Sequence, residues 1–318
     1  MGYAIGELTA SGGLLAHQNL LLLIQSLAEA NGWVTLRYVD SGDNHELILK
    51  GEGLSGTEEV FVGFRCYQSA AGDYYNVETA SMTGYVPGNI FAAQPGFKSS
   101  AVPCHNNVLT YYIICNGQRI AGCVKAGTPV FGHFYQGKLL PYARPGEFPA
   151  PLVCGGMLAG AAATRYSDTS YRGPYFGISA GRQFFLRSPV GAWNSASPWP
   201  YDNRVAAGAS TQVTVLAGAG KLTKTGAVYT PLPIIVVGAS GSEGLNVYGE
   251  LDGVYFCSGF DNGSENVMQV GGTHVIDQAG LSVAQAVSAI RAAGGRALVV
   301  LQDVYRTGFV DYCALEMN

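Results

Sequence analysis

The sequence predicts a strand-dominated α+β fold: a mostly antiparallel sandwich or barrel-like body with an N-terminal helix and one late helix. Three observations lead there. From Trp33 onward, apolar and polar residues alternate with period 2 over many short segments, as strands require. Asn116-Gly117 stands between two of these segments, and the pair favours tight antiparallel hairpins because both residues accept positive φ. Helical periodicity is confined to two stretches, about 14–30 and about 282–293.

In the first of these, Leu20, Leu23, Ile24 and Leu27 recur at helical spacing, and Asn31-Gly32 supplies a left-handed stop. Leu21 and Leu22 widen the apolar stripe almost to the full circumference, so the helix is expected to be buried on several sides. Strands are expected at Trp33–Val39 and Glu46–Lys50, separated by the turn Asp40-Ser41-Gly42-Asp43-Asn44. Further strands are expected at Val60–Gln68, Tyr74–Met82, Val108–Cys115 and Gln118–Lys125. From about Pro141 to Gly226, eight prolines interrupt the pattern and predict long irregular loops rich in glycine and aromatic residues. Strands resume at Val228–Thr230, Ile234–Val237, Val254–Phe260 and Asn266–Val270. The late helix runs from Ser282, which can cap it, to Ala293 before Gly294-Gly295. Ala297–Asp303 and Phe309–Leu315 complete a single body spanning 1–318.

Composition narrows the function. Lys and Arg number 18 against 22 Asp and Glu, a net charge of −4, and the basic residues are scattered, so no nucleic acid partner is expected. No apolar run approaches the ~20 residues of a membrane-spanning helix. The first Lys or Arg is Arg37, which argues against a secretory leader. Charged residues are 13% of the chain, half of the usual ~25%. A compact protein with so few charges is expected to bury surface against partners. The seven cysteines form no CxxC pair and read as buried thiols, with disulfides in a mature particle as the alternative.

Motifs for chemistry fall short. Gly51-Glu52-Gly53-Leu54-Ser55-Gly56 has GxGxxG spacing after a strand, yet the next segment reads as strand, so no helix N-terminus faces a pyrophosphate. In Ala217-Gly218-Ala219-Gly220-Lys221, Val215 replaces the first phosphate-loop glycine and Leu222 the magnesium-binding hydroxyl. Cys104-His105 is too close in sequence for chelation, and His17, His45, His133 and His274 are isolated. Glu58-Glu59 and Glu250/Asp252 are the carboxylate pairs a glycosidase could use, but Glu250-Leu251-Asp252-Gly253 reads more simply as a solvated turn. Asn262-Gly263-Ser264 reads as a hairpin tip, not a glycosylation site. No catalytic residue, cofactor or metal is therefore expected.

Several strings carry a resemblance. They are Gly84-Tyr85-Val86-Pro87-Gly88-Asn89 with Gln94-Pro95-Gly96, Asn116-Gly117-Gln118-Arg119-Ile120, and Leu140-Pro141-Tyr142-Ala143-Arg144-Pro145 leading to Pro149-Ala150-Pro151-Leu152. Arg165-Tyr166-Ser167-Asp168-Thr169, Tyr248-Gly249-Glu250-Leu251-Asp252-Gly253 and Gln302-Asp303-Val304 complete the set. Over roughly residues 14–315 the chain resembles a family of virion structural proteins of tailed bacteriophages and prophages. The resemblance implies a non-enzymatic component of a tail or head–tail junction (neck or baseplate), assembled in the bacterial host cytoplasm. Its implied partners are copies of itself, in a ring or trimer, and other phage tail or neck proteins. Trp193, Trp199 and Tyr201, with Arg165 and Arg172, are the expected interface anchors, since aromatic and Arg side chains dominate interface energetics. Covering a local core is the competing role for the aromatics. The alternatives are a glycan- or receptor-binding module at the tail tip and a cell-wall-degrading tail enzyme.

Overall fold

The computed structural model describes residues 1–127, 130–142, 151–167, 173–175, 183–187, 191–199, 230–237, 247–258, 298–302 and 312–317. The chain opens with β1 (Gly2–Thr9), α1 (Ala16–Glu29), β2 (Val34–Val39), β3 (Glu46–Gly51), β4 (Val60–Ser69) and β5 (Tyr74–Met82). A short 3₁₀ turn at Phe91–Ala93 precedes β6 (Lys98–Cys104), β7 (Val108–Asn116), β8 (Arg119–Gly127), β9 (Val130–Lys138) and β10 (Leu140–Pro141). Then come β11 (Leu152–Gly156), β12 (Gln183–Arg187), β13 (Trp193–Ser195) and β14 (Ser197–Trp199). The last strands are β15 (Thr230–Val237), β16 (Val247–Ser258), β17 (Leu298–Gln302) and β18 (Tyr312–Glu316).

These strands form three antiparallel sheets. A seven-stranded sheet has the order β1-β7-β8-β9-β11-β12-β13, and a five-stranded sheet runs β2-β3-β4-β5-β6. The third sheet runs β14-β15-β16-β18-β17, with β10 paired to β16. The seven-stranded sheet is the middle layer, and the alternation of its side chains between two cores shows it. Ile113, Ile120, Val124, Phe134 and Leu152 enter the core shared with α1 and the five-stranded sheet. Their chain neighbours Ile114, Ala121, Cys123, Tyr135 and Val153 enter the core shared with β15–β18. A sheet buried on both faces needs no polar side, and this is why β7 carries the run Tyr111-Tyr112-Ile113-Ile114-Cys115.

The β-rich, mostly antiparallel sandwich with its N-terminal helix agrees with the sequence reading. Leu20, Leu21, Ile24 and Ala28 of α1 are buried, while Leu22 is exposed. The helix packs on β1, β7, β3 and β4. The late helix at about 282–293, the strand Asn266–Val270 and the sequences around Gly218 and Asn262 lie outside the described residues.

Four readings are corrected. Strand β1 was not anticipated, nor were β6 and β9. Glycine and small residues dilute the alternation of β1, and eight consecutive pairs with β7 compensate. The stretch from Pro141 onward is not simply irregular, because β10 through β14 form within it. Proline survives there at a strand end (Pro141) and in β14, an edge strand with no partner beyond it among the described residues (Pro198). Glu250 to Gly253 is not a turn but the middle of β16, where Glu250 pairs with Ile235 on one side and Leu140 on the other. The hairpin at Asn116-Gly117 exists, with Asn116 paired to Arg119, but neither residue takes positive φ. Asn116 Oδ1 instead accepts the Gln118 and Arg119 N–H groups at 3.1 and 3.2 Å. Gly117 is needed because a Cβ there would lie 2.7 Å from the Gly53 carbonyl oxygen.

Candidate functional site

The loop from Gly84 to Phe97 is built around one side chain. Gln94 is buried; its Oε1 accepts the Val86 N–H at 2.8 Å, and its Nε2 donates to the carbonyls of Val86 and Asn89 at 3.2 and 3.1 Å. Asn89 Nδ2 closes the turn on the Ala93 carbonyl at 2.9 Å. Arg37 of β2, paired with Glu46 at 2.7 Å, donates to the Asn89 carbonyl at 2.7 Å. Beneath the loop Tyr85, Phe91 and Phe97 cover Ile48, Phe61, Ala80 and Met82 on the outer face of the five-stranded sheet. What remains outside is apolar: Ile90 is 69% exposed, and Val86 is exposed beside it in sequence. Apolar side chains on a self-braced loop can dock with little further ordering cost. Gln94→Ala is expected to weaken the loop by about 1–3 kcal/mol, because it strands a backbone N–H and two carbonyls. Faster amide exchange over residues 84–97, with β3 and β4 unchanged, is the measurement that checks this.

Of the anchors nominated from sequence, the side chains of Trp193 and Arg165 are described. Trp193 on β13 is half-buried, packs against the core between the middle and five-stranded sheets, and donates its indole N–H to the Gly96 carbonyl at 2.8 Å. It therefore ties the middle sheet to the loop that presents Ile90. Trp199 contributes backbone to β14 opposite Ile235, and its side chain lies outside the described residues. Tyr201 and Arg172 also lie outside them. Arg165 is exposed, 4.0 Å from Asp73.

Each carboxylate of the two candidate pairs has a partner, and Asp252 alone of the four is buried. Asp252 Oδ2 accepts Asn116 Nδ2 at 2.6 Å and Gln118 Nε2 at 2.9 Å, and lies 3.6 Å from Arg119 Nε. Arg119, 0% exposed, donates Nε–H to the Asp252 carbonyl at 2.8 Å. Tyr135 accepts the Asp252 N–H at 3.2 Å and donates to the Lys138 carbonyl at 2.6 Å. Burial, reinforced by Asp252, pushes the Tyr135 phenol far above its ordinary value, so it stays a donor. Gly253 has φ 71°, and a Cβ there would meet Arg119 Nη2 at 2.4 Å. Two of the strings that carry the resemblance thus meet here and pin β16 to the β7–β8 hairpin. Glu250 has a separate partner, the Tyr142 hydroxyl at 2.5 Å. Glu58 and Glu59 diverge to Lys138 and Lys50.

A second polar network joins the middle sheet to the five-stranded one. Gln136 Nε2 donates to Thr79 Oγ1 at 2.7 Å and to the Gly155 carbonyl at 3.1 Å. Ser81 Oγ lies 2.9 Å from Gln136 Oε1 and 2.7 Å from the Val153 carbonyl, and accepts the Gly137 N–H at 3.2 Å. With one proton, the hydroxyl serves one of those two acceptors at a time.

Gly53 of the GxGxxG segment donates its N–H to the Gly117 carbonyl at 2.9 Å, so that loop packs on the hairpin. Among the described residues no group of three or more His, Cys, Asp or Glu is arranged to hold a metal. Cys66, Cys104, Cys115, Cys123, Cys154 and Cys313 are free and buried, as the sequence suggested. Burial raises the Cys154 thiol to about 11 and the Cys115 thiol to about 12, which leaves both protonated and unreactive at neutral pH. No described helix is long and apolar enough to cross a membrane.

The sequence reading missed Ile90, Gln94, Gln136 and Arg119. An isolated Ile in a Pro/Gly-rich loop was the available signal for the first; nothing local marks the others. No protein-family model and no curated protein matches the chain.

Proposed function

We propose that this chain is a structural component of a tailed-bacteriophage virion, in the tail or at the head–tail junction. It works by homo-oligomeric assembly and by docking onto other virion proteins, without catalytic turnover. The observation that carries the reading is the braced Gly84–Phe97 loop, which holds Ile90 in solvent on a frame fixed by Gln94 and Trp193. That loop contains the first of the strings resembling phage virion proteins. The low charge of the chain supports the same reading, since surfaces destined for stable contacts need fewer solvating groups.

Head-to-tail contacts close into rings only when the rotation per subunit closes. Native mass measurement, with negative-stain class averages, is therefore expected to give a ring or trimer of defined copy number. Ile90→Glu places a charge in the contact and is expected to raise the dissociation midpoint at least about tenfold, an effect of ~1.4 kcal/mol. A protein that stays monomeric at every concentration would defeat the self-assembly reading.

A further inference from the structure

His17 lies in the first turn of α1 at 0% exposure, and neither of its ring nitrogens has a hydrogen-bond partner. His45, just ahead of β3, is buried with its Nδ1 unpartnered, and the Gln68 Oε1 on β4 is unpartnered too. One residue of β4 brackets the two histidines. Cys66 donates its thiol to the His17 carbonyl at 3.0 Å and its backbone N–H to the His45 carbonyl at 2.9 Å. Tyr75 of β5 stands edge-on to the His17 ring at 5.7 Å. His105, between β6 and β7, is the third imidazole close enough to act on His17. Its own neighbour Asp73 is half the exposed pair with Arg165. The groups facing His17 are therefore two imidazoles, a thiol, a carboxamide and a phenol; the charges that act on it are those of His45 and His105.

The geometry points to an acid-operated latch: protonation of His17 releases the first turn of α1 from the sheets while the three-layer body stays folded. An imidazolium at this position has no carboxylate to pair with and gains repulsion from two more imidazoles. Burial is the main reason that its pKa is lowered from 6.5 to about 4, with the Gln68 carboxamide pulling the other way and His45 and His105 adding to the fall. The folded value is depressed, so the released form binds the proton first. Docking is intact above about pH 6.5 and weakens as pH falls toward 4. The contacts the release would break are the Ala16 N–H to the Asn106 carbonyl at 3.0 Å, the Cys66 thiol to the His17 carbonyl, and Asn19 Nδ2 to the Thr9 carbonyl at 2.9 Å.

Amide exchange read by mass spectrometry at pH 7 and pH 4.5, corrected for intrinsic rates, tests the latch on the whole chain. Protection of the first turns of α1 is expected to fall roughly 50-fold over that interval. Cys66 is expected to become reactive toward 4,4′-dithiodipyridine, while β8 and β9 amides keep their protection. In His17→Gln the fall disappears. Parallel loss across all three sheets, or a fall of the same size in His17→Gln, would overturn the proposal. Should His17→Gln fail to fold, His45→Gln decides: removing that imidazole eases protonation of docked His17 and shrinks the fall, and an unchanged fall rejects the latch.

Discussion

Asp252→Ala is expected to destabilise the protein by about 3–5 kcal/mol, the cost of breaking a buried charge pair by removing one member. The change strands Arg119, which has no exposed surface and whose Nη1 already lacks a partner. It also removes the acceptor for Asn116 Nδ2 and Gln118 Nε2. The backbone bond from Arg119 Nε to the residue 252 carbonyl survives, so the guanidinium stays in place and uncompensated. Asp252→Asn keeps one acceptor oxygen and the side-chain shape but loses the negative charge, and it should fall between the two. Denaturant midpoints for the three proteins, with unchanged slope, check the ordering. If Asp252→Ala proves neutral, Asp252 lies in a solvated turn, as its local sequence suggested, and the pin between β16 and the hairpin does not exist.

The second large effect tests the layering. Ile113→Ala and Ile114→Ala should each cost about 2–5 kcal/mol, because both side chains are fully buried. Ile113 points into the core shared with α1 and the five-stranded sheet, and Ile114 into the core shared with β15–β18. In a sheet covered on one face, adjacent positions alternate between buried and solvated, so one of the two changes would be nearly silent. Two comparable losses of stability distinguish a middle layer from an outer one. The same logic applies to Phe134 and Tyr135 on β9, which also face opposite cores.

Much of the fold was legible because its signals are local. The period of 3.6 in α1 and the Asn31-Gly32 stop depend on residues within a few turns of each other. So do the alternating strands from β2 to β5 and the β7–β8 hairpin, and their limits agree with the structure to within a residue or two. The terminal strands β17 and β18 were readable in the same way.

The candidate site was much less legible. Ile90 earns notice only once Gln94 is seen to hold its loop and Trp193 to reach across from another sheet. The sequence argument rested on Trp193, Trp199 and Tyr201, with Arg165 and Arg172, and of the three aromatics the one whose side chain is described, Trp193, serves an internal tie.

By itself the sequence determined what is decided over short distances: a strand-rich chain, one well-marked N-terminal helix, and the lack of any complete local motif for phosphate binding. Tertiary structure alone decided that Glu250 to Gly253 runs as strand, since ladders to β15 and β10 outweigh the local turn preference of Asp-Gly. It also decided that Asp252 is buried, because its partners Asn116, Gln118 and Arg119 arrive from more than 130 residues away. And it placed the seven-stranded sheet between two others. A carboxylate with no partner in its own segment belongs in water, and an apolar run can be one strand or a helix turn. Only the long-range pairing that supplies a partner, or a second covering layer, reverses those preferences.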